Sequence, residues 1–456
     1  MNGAVRNDNR VFDMTSKHIV LTTWGSLGDL HPILAVALEL HRRGHRVTVA
    51  TDKLYQAKIE ETGLGFHAIR PELPQGDEAK KMVERVMDLR DGTRFLFEEM
   101  LGPFWRQSYD DLTAIAHDAD LWVTHPVTMA APLVAQKMKL RWVSTVLSPL
   151  SMFSAYDPPV PPMYPQMAAL YRLGKPFTRL LFRLMQGRTR SWGAPIDALR
   201  REIGLPPAAH PLFAGQFSPQ SNLAMFSSAL GEPQPDWPQN TVQTGFAFYD
   251  RKGSLPLFNA ASIVPSSTTT EENDDKLSVQ LTRFLEAGDA PIVFTLGSAA
   301  VMNPANFYRE SAQAAAILGR RALLLGDVQG AQSTTRWSQK SAVASFDYAP
   351  YSQVFSRACA LVHQGGVGTT AQAMRAGKPQ LIVPHSHDQP DNAARIARRG
   401  IGRTMPLRQY KAQRVAEELR PLLEQNKYSK RAAQTGAQVQ SENGASKAAD
   451  ALEAQL

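Results

Sequence analysis

The chain has 456 residues, of which 43% are hydrophobic and 20% charged, a composition typical of a globular protein with two or three domains. Its single cysteine, Cys359, excludes an internal disulfide framework and favours a reducing compartment. The 50 Lys and Arg residues exceed the 42 Asp and Glu residues by 8, an excess that suits an anionic ligand, and no nucleic-acid-binding motif is present.

The amino-terminal segment lacks the pattern of a targeting sequence. Its first sixteen residues carry charges throughout and have no apolar core of the kind found in signal peptides. No later stretch reaches ~18 consecutive apolar residues, the length that spans a bilayer as a helix. We therefore expect a cytoplasmic protein without a transmembrane segment.

The first half opens with a βαβ pattern. His18–Thr23 is a short apolar run that ends in a glycine-containing loop, and Pro32–Arg43 repeats apolar residues at helical spacing. Arg46–Ala50 then has the composition of a second strand. Such units build parallel sheets, whose ligands bind at the carboxyl ends of the strands. The alternation continues through Leu121–Thr124 and Trp142–Val146.

A basic segment, Tyr171–Arg190, follows a Pro-rich stretch and carries six cations among leucines and phenylalanines. This pattern predicts an amphipathic helix or a helical hairpin. We favour a solvated basic face above an apolar underside. Contact with a membrane surface or a lipidic acceptor is the alternative.

The second half repeats the α/β pattern after a connection rich in Ser, Thr and Asn. We predict an amino-terminal lobe at 15–250, a linker at 251–288, a second lobe at 289–428 and a helical tail with a frayed end at 429–456. The short buried-type strands of the second lobe are Pro291–Leu296, Ala322–Leu325, Ala360–Val362 and Gln380–Val383. A cleft between two such lobes is a common place for a small-molecule site.

The segment Val362–Gly402 is the most informative part of the chain. A strand runs into His363 and then into Gly365, Gly366 and Gly368, after which Thr369–Ala376 is predicted to be a helix. Glycines at such a turn let backbone N–H groups approach an anion, and the helix amino terminus adds partial positive charge. The pattern predicts a cradle for a diphosphate, with His363 donating to a phosphate oxygen and Thr369 or Thr370 either capping the helix or contacting the anion.

A second polar group follows the strand Gln380–Val383. The loop Pro384–Pro390 presents Asp388 and Gln389 at the edge of the sheet where ligands bind. A carboxylate next to a carboxamide accepts from and donates to the vicinal hydroxyls of a polyol. We predict that this pair binds a sugar.

The motif order H-x-G-x-x-G-T, A-x-x-x-G-x-P, P-x-x-x-D-Q and N-A resembles the donor-binding signature of family 1 glycosyltransferases. The similarity extends to Thr22–Pro32, Thr295–Ser298 and Tyr348–Tyr351. It implies an α/β protein of GT-B fold, with two Rossmann-like lobes whose parallel sheets face a central cleft and a carboxyl-terminal helix that returns to the first lobe.

The resemblance also implies roles for individual residues. It places the base of the nucleotide on Tyr348 and the sugar on Asp388 and Gln389. The diphosphate would be held by His363, Gly365, Gly366, Gly368 and Thr369, with Gly28 and Ser298 as further donor-binding residues. Plant members carry H-C-G-W-N-S, with a serine hydroxyl on phosphate, whereas this chain has Val367 and Gly368 there. Thr369 or backbone amides would then make that contact.

On the acceptor side, many relatives place a histidine just after the glycine of the first loop, where this chain has Asp29, as in bacterial antibiotic and sterol-type members. Glycosyl transfer needs a general base beside the acceptor hydroxyl, and partial burial would raise the carboxyl pKa from ≈ 3.9 toward a useful value. His125 stands where relatives place the aspartate that orients their histidine. Our hypothesis is that Asp29 is the base and His125 its partner.

Structural roles remain open for the same residues. The alternative for Asp29 is that it caps the helix that Pro32 opens, a role compatible with catalysis. For His125 taken alone, we favour a structural histidine before Pro126. Acceptor-binding residues are predicted on the first lobe. The alternative for them is ordinary core or loop packing, and for His31 it is a place at the start of the helix. They are His31, Met152, Phe153, Tyr156 and Met163.

The sequence contains one pattern that superficially resembles a metal site. Asp118-Ala-Asp120 matches the D-x-D of metal-dependent glycosyltransferases, but it precedes a strand, whereas a metal-binding D-x-D should follow one. No other ligand set has convincing spacing. We predict no catalytic metal and no cofactor beyond the nucleotide-sugar co-substrate.

Together these patterns predict an inverting glycosyltransferase. It would move a sugar, expected to be glucose, from a UDP-sugar to a hydroxyl of a small hydrophobic acceptor of phenolic, polyketide, terpenoid or sterol-like type. A nucleotide-sugar epimerase of the same fold and a catalytically silent nucleotide-sugar binding protein are the alternatives. A dinucleotide oxidoreductase is disfavoured because the first loop lacks G-x-G-x-x-G.

Overall fold

A computed structural model describes residues 16–249, 277–297, 306–326 and 342–456. The predicted linker up to residue 276 lies outside these ranges, and so does Ser298. The described residues form two α/β lobes, each built on its own sheet.

The first lobe contains a seven-stranded sheet of order β3-β2-β1-β4-β5-β6-β7, and every pairing between these strands is parallel. The strands are β1 (His18–Thr22), β2 (Arg46–Thr51), β3 (Gly65–Ala68), β4 (Leu121–Thr124), β5 (Trp142–Val146), β6 (Ser221–Ala224) and β7 (Thr241–Gln243). The strand order reverses between β1 and β4. Ligands of open parallel sheets bind at such a switch point, next to the carboxyl ends of the two strands.

Helices cover both faces of this sheet. They are α1 (Leu27–Arg42), α2 (Gln56–Glu60), α3 (Gly76–Val86), α4 (Gly92–Arg94), α5 (Trp105–Ala114), α6 (Ala131–Met138), α7 (Lys175–Arg188) and α8 (Arg190–Glu202). A π-helical turn, Phe95–Leu101, follows α4, and short 3-10 turns lie at Lys53–Tyr55, Gly102–Phe104, Pro149–Met152, Pro165–Leu173 and Ala214–Gln216. The apolar stripe of α1 packs on β1 and β2, where Leu30, Ile33 and Leu34 are fully buried. This packing fixes the amino terminus of α1 above the end of β1.

The second lobe has a six-stranded parallel sheet of order β10-β9-β8-β11-β12-β13. Its strands are β8 (Ile292–Thr295), β9 (Ala322–Leu325), β10 (Val343–Phe346), β11 (Ala360–His363), β12 (Gln380–Ile382) and β13 (Gly402–Thr404). Its helices, including the tail, are α9 (Val279–Glu286), α10 (Phe307–Ile317), α11 (Tyr351–Val354), α12 (Val367–Arg375), α13 (Gln389–Arg399), α14 (Ala412–Glu424), α15 (Asn426–Ser441) and α16 (Gly444–Glu453), with 3-10 turns at Phe355–Arg357 and Leu407–Gln409. The order reverses between β8 and β11, so β11 and β12 deliver their following loops to one edge.

The carboxyl-terminal helix α16 returns to the first lobe, as predicted. Ala448, Ala449 and Leu452 are fully buried in the core formed by α1, β1 and β2. Arg43 adds an ion pair to Glu453, with an N–O distance of 2.7 Å. The expectation of a frayed end is wrong, because α16 is part of this core.

Three predicted boundaries differ from the structure. Helix α1 begins at Leu27 and contains Pro32, which does not open it. Helix α9 falls within the predicted linker, yet Phe284 packs with strand residues of the second sheet, so the second lobe begins before residue 289. The basic segment forms a 3-10 turn followed by the helix α7 and not a hairpin of two helices.

The two lobes contact each other through α13. Asp391 accepts a hydrogen bond from the amide of Val160 at 3.0 Å, and the buried guanidinium of Arg395 pairs with both Asp391 and Asp157. Because Asp157 belongs to the first lobe, this ion-pair cluster joins the lobes on one side of the cleft. Among the described helices, none is long and apolar enough to cross a membrane.

Candidate active site

A cavity of about 770 Å³ lies between the lobes. From the first lobe it is lined by the loops after β1 and β4, and from the second by the amino terminus of α12 and the loop after β12. The loops after β1, β4 and β11 are at the two topological switch points, and the loop after β12 lies beside the loop after β11. Most of the remaining lining is apolar and comes from the first lobe.

Asp29 lies in the first turn of α1, at the edge of the cavity. Ser26 is the N-cap and its hydroxyl accepts from the amide of Gly28, while Asp29 Oδ2 accepts from the Ser26 amide at 2.9 Å. This reciprocal pair is a capping box, so the predicted capping role of Asp29 is confirmed, although at the third position of a helix that begins at Leu27. The side chain remains 34% exposed, on the side of the cavity.

The environment of Asp29 makes it a stronger base than an ordinary aspartate. Burial raises the pKa of Asp29 to about 6, although the hydrogen bonds from Ser26 act in the opposite direction. Its Oδ1 atom has no hydrogen-bond partner in the part of the chain that the structure describes. A carboxylate of this kind is mostly ionised at neutral pH and still has appreciable proton affinity.

His125 follows β4 and is brought next to Asp29. Its Nε2 lies 3.8 Å from Asp29 Oδ1, which is too long for a hydrogen bond. Burial lowers the pKa of His125 to about 3, so the imidazole is neutral. Its Nδ1 is buried without a partner among the described residues. The structure therefore brings the predicted pair together as a neutral imidazole beside a carboxylate.

The amino terminus of α12 forms the opposite wall of the cavity. Gly366, Val367, Gly368 and Thr369 all line it. The helix begins at Val367, so the N–H groups of its first turn have no acceptor within the helix. A Cβ atom added to Gly368 would lie 3.8 Å from Gly28 Cα, so the first turns of α1 and α12 meet across the cleft. Two helix amino termini converging on one space attract an anion.

His363 does not have the geometry that we expected. It is fully buried and is not among the described residues that line the cavity. Its Nδ1 accepts from the amide of Gly365 at 3.1 Å, and its Nε2 lies 3.0 Å from Gln380 Oε1. Because both ring nitrogens already have partners, His363 has no free N–H for a phosphate. The imidazole of His363 instead holds the turn in which Gly365 has a φ of +92°. Gly365 does not line the cavity, so the prediction that it contacts the donor is also corrected.

Asp388 and Gln389 do line the cavity. Asp388 Oδ2 accepts from the Val367 amide at 3.2 Å and from Asn392 Nδ2 at 2.7 Å. Burial raises the pKa of Asp388 to about 7, and the charge of Asp29 across the cleft contributes to this increase. Gln389 is nearly buried, and its Oε1 accepts from the amide of His385 at 2.8 Å. The loop is thus held against α12 with one Asp388 oxygen left unbonded among the described residues.

Tyr348, like His363 and Gly365, is a predicted donor-binding residue that does not line the cavity. Tyr348 is 42% exposed and is not among the described residues that line the cavity. Ser298 lies outside the described residues. The predicted stacking of a base on Tyr348 would need the nucleotide to extend beyond this cavity.

Of the predicted acceptor-binding residues, only Phe153 and Met163 line the cavity. Met152 is buried in a core that includes Val146 and residues of α13. The expectation for Met152 is therefore wrong, because it packs between elements.

The predictions for His31 and Tyr156 are also corrected. The ring of His31 is buried against Tyr249, with ring centroids 5.1 Å apart, on a side of α1 away from the cavity lining. Tyr156 is 39% exposed, and the ammonium of Lys175 lies 3.7 Å from its ring centroid. Both side chains belong to local packing.

Sequence reasoning missed most of the apolar wall. Methionines contribute unusually often to it, and aromatic rings complete it. The methionines are Met82, Met87, Met100, Met163, Met167 and Met185, and the rings are those of Trp24, Tyr55, Phe97, Phe153, Tyr164, Trp192 and Phe213. The signal for this wall was weak because its residues come from separate segments with no common period. Unbranched methionine side chains adapt to ligands of different shape.

Two polar residues in the wall were also missed as site residues. Gln364 lines the cavity, and its Oε1 is buried without a partner in the described parts of the chain. His387 has a φ of 55°, and its Nδ1 lies 3.3 Å from the hydroxyl of Thr93 in the first lobe. Burial lowers the pKa of His387 to about 4, so this interlobe contact is made by a neutral ring.

The D-x-D pattern lies at the other end of the first sheet. Asp120 accepts from the amide of His18 at 2.8 Å, and Asp118 pairs with Arg46 at 2.6 Å. These are the amino ends of the strands, so the pattern does not belong to the cavity. Across the described ranges, no group of three or more His, Cys, Asp and Glu side chains is arranged to hold a metal.

Solved structures share this architecture. The glycosyltransferase of kitacinnamycin superposes with a TM-score of 0.66 at 20% identity, covering 97% of this chain and 99% of that one. The glycosyltransferase VinC in complex with dTDP superposes with a TM-score of 0.65 at 16% identity, covering 96% and 99%. Two parallel-stranded lobes facing a ligand-sized cleft define the GT-B fold, and this chain has it.

Sequence comparisons define the family. Residues 19–120 match the glycosyltransferase family 28 N-terminal domain, and residues 332–454 match the erythromycin biosynthesis protein CIII-like C-terminal domain. The O-mycaminosyltylonolide 6-deoxyallosyltransferase of Streptomyces fradiae is 30% identical over 448 residues, covering 95% of this chain and 96% of that protein. The chain belongs to the family 1 glycosyltransferases of the bacterial natural-product type, and its reaction class is sugar transfer.

Proposed function

We propose that this glycosyltransferase moves a hexose from a pyrimidine nucleoside diphosphate, with UDP as the expected nucleotide, to a hydroxyl of a large apolar acceptor. One observation carries the proposal. Asp29, with one carboxylate oxygen unbonded among the described residues, lies where the first turns of α1 and α12 meet, between an anion-attracting helix end and a methionine-rich apolar chamber. A base, a leaving-group site and an acceptor pocket therefore share one cavity.

The proposed reaction is a single displacement. Asp29 Oδ1 takes the proton of the acceptor hydroxyl while that oxygen attacks the anomeric carbon. The bond from the anomeric carbon to the diphosphate oxygen breaks, and the configuration inverts. The first-turn amides of α12 stabilise the negative charge that develops on the diphosphate. The neutral ring of His125 limits the positions that the Asp29 carboxylate can take and does not itself move a proton.

The size and lining of the cavity support an apolar acceptor. Its volume, about 770 Å³, is in the upper part of the range for small-molecule sites, and its wall is mainly apolar. A polyketide or another polycyclic aglycone fits such a chamber better than a short phenol. The acceptor in the name of the Streptomyces fradiae relative, O-mycaminosyltylonolide, supports the same class.

The donor nucleotide has one specific alternative. The dTDP bound to VinC supports a dTDP-sugar as the second candidate. No separate metal is included in the proposal, and the charge on the diphosphate is assigned to helix α12 and its backbone. An epimerase would need no acceptor chamber, and it would convert the nucleotide sugar without a second substrate.

The test compares wild-type protein with Asp29→Asn on a panel of UDP- and dTDP-sugars and apolar aglycones, with hexose addition read by mass spectrometry. Asp29→Asn keeps the size of the side chain and an acceptor oxygen for the capping box but cannot act as a base. We expect kcat/KM to fall about 100-fold or more, with the Kd for free nucleotide changed less than about twofold.

Asp77→Asn is the matched control, because it removes a carboxylate that is 91% exposed on α3. Full turnover by Asp29→Asn would show that another group is the base. Conversion of the donor in the absence of any aglycone would instead support the epimerase.

A further inference from the structure

The mouth of the cavity lies at α7 and the 3-10 turn before it. Leu184 and Tyr164 line the cavity and are also 61% and 41% exposed to solvent. Arg188, at the end of α7, likewise lines the cavity and is exposed. Side chains that face both the cavity and solvent mark an opening, so an acceptor passes this surface on its way to Asp29.

This surface is more apolar than a solvated helix face should be. Leu173 is 64% exposed and Leu180 is 48% exposed, next to Leu184. Leu180 and Leu184 are one helical turn apart and lie on the same face of α7. The opposite face is already buried through Leu181 and Phe182. Helix α7 is therefore apolar on both its inner and its outer face, and no described residue covers the outer face.

The same surface is strongly cationic. Between Asp157 and Asp197 the chain contains no acidic residue, whereas it carries Arg172, Lys175, Arg179, Arg183, Arg188 and Arg190. At 100° per residue, Arg179 and Arg183 lie on one side of the leucine stripe and Arg188 on the other. None of these three arginines forms an ion pair with a described residue. The outer face therefore has leucines at its centre and unneutralised cations at its edges.

We propose that the outer face of α7, together with the turn Pro165–Leu173, docks on an anionic phospholipid surface. Leucines between arginines are the arrangement of helices that lie in a membrane interface, where the leucines enter the acyl boundary and the cations contact lipid phosphates. The cavity mouth then faces the lipid, and an apolar acceptor passes from the bilayer to Asp29 without crossing water. Charge complementarity favours an anionic lipid as the partner of this face, because a neutral lipid or an uncharged apolar partner would leave the arginines without a counter-charge.

The first test is sedimentation with vesicles of phosphatidylcholine alone or mixed with phosphatidylglycerol, without donor or acceptor. We expect wild-type protein to bind the anionic vesicles and not the neutral ones, and to dissociate in high salt. The double variant Arg179→Gln/Arg183→Gln should lower the partition coefficient about 30-fold, given the strength of attraction per cation near such a surface. Leu180→Ser should lower it about 10-fold.

Two control variants make the comparison specific. Arg414→Gln/Arg420→Gln removes the same charge from α14, where both side chains are more than half exposed. Leu407→Ser removes a leucine that is 47% exposed, close to the 48% of Leu180. The controls should bind as the wild type does. Equal losses in test and control variants, or equal binding of the wild type to both kinds of vesicle, would overturn the proposal.

The second test concerns acceptor delivery. The rate of transfer to an aglycone dissolved in anionic vesicles is divided by the rate for a water-soluble phenol. This ratio should fall in Arg179→Gln/Arg183→Gln and stay constant in the α14 control. Vesicle binding is measured without substrates, so a protein that binds no vesicle could still transfer sugar. Likewise, a protein that transfers no sugar could still bind vesicles. The wild type could instead bind no vesicle and form a dimer that Leu180→Ser disrupts. That result would show that a second copy of the chain covers this face, and it would overturn the proposal.

Discussion

Two carboxylates from different lobes face one cavity. Asp29 belongs to the first turn of α1 and Asp388 precedes α13, and burial is the main cause of the raised pKa of both groups. The charge of Asp29 also raises the pKa of Asp388. The two groups therefore affect each other across the cleft, and at neutral pH Asp29 gives up its proton more readily than Asp388.

The pH dependence of transfer should report Asp29. A protonated carboxyl cannot accept the acceptor proton, so kcat/KM should be low at pH 5, rise with half-maximum near pH 6 and level off above about pH 7. His125, whose pKa is about 3, adds no inflection in this window. Asp388, whose pKa is about 7, titrates within it, so the profile is measured at saturating donor in the wild type and in Asp388→Asn. The measurement is initial rate at low acceptor concentration between pH 5 and 8. A flat profile over that range would contradict the assignment.

Asp388 should make the free protein less stable as pH rises. Its pKa of about 7 in the folded chain lies above the ordinary value near 3.9, so between these values the folded state holds a proton that the unfolded state has lost. That stabilisation is present at low pH and disappears as pH rises through about 7. Asp388→Asn removes the charged form, and Tm should exceed that of the wild type by about 2–4 °C at pH 8 and by less at pH 5.

The same variant separates stability from function. Loss of Asp388 should weaken use of the donor sugar more than binding of free UDP, because the carboxylate is proposed to contact the hexose. Thermal melting at both pH values and donor KM are the measurements. A lower Tm than the wild type at pH 8, or equal losses for sugar and nucleotide, would count against this account of Asp388.

At the scale of elements, the glycine turn before α12 depends on two glycines for different reasons. Gly365 has a φ of +92°, and a Cβ there would lie 2.6 Å from Ile382 Cγ2. Gly368 is inside the first helical turn, where a Cβ meets only Gly28 Cα at 3.8 Å. Gly365 is therefore required by the backbone conformation of the turn, whereas the missing side chain of Gly368 leaves space for a ligand in the cavity.

Alanine at these two positions should have opposite effects. Gly365→Ala should lower the free energy of unfolding by about 1–3 kcal/mol, because of its backbone conformation and the contact with β12. Gly368→Ala should fold as stably as the wild type and weaken UDP binding about tenfold, because its methyl group enters the space proposed for the diphosphate. Urea unfolding and calorimetry measure the two effects. Unchanged UDP binding in Gly368→Ala would contradict the cradle.

Most central strands could be predicted from the sequence, but β6 and the edge strands could not. β1, β4, β5, β8, β9, β11 and β12 are apolar runs next to turn signals. The edge strands β3, β7 and β13 have only three or four residues and mixed polarity, so their pairing depends on the neighbouring strand and not on their own pattern. The start of α1 was misplaced because Pro32 is a strong local signal, whereas the capping box of Ser26 and Asp29 acts earlier.

Site residues were predictable where a compact motif carries them. The turn after β11 and the loop with Asp388 follow adjacent strands, so their meeting at one edge follows from parallel topology. The orientation of His363 could not be predicted, because it depends on Gln380 of the neighbouring strand. The apolar wall could not be predicted either, since its residues are distant in sequence and meet only in the folded lobe.

At the scale of the whole molecule, two of the contacts that join the lobes outside the cavity involve α16 and α13. Helix α16 buries Leu452 in the first lobe after the chain has completed the second, and Arg395 of α13 pairs with Asp157 of the first lobe. The resemblance predicted the first of these contacts. The second required the fold, because 238 residues separate its partners. Both contacts hold the lobes so that Gly28 and Gly368 face each other.

The most direct test of the central claim is a crystal structure of the protein with UDP. The claim is that the space where α1 and α12 meet holds the diphosphate beside Asp29. We expect the β-phosphate within about 3 Å of a first-turn amide of α12, with Asp29 facing the same space. A nucleotide bound elsewhere, with this helix end unoccupied, would contradict the account.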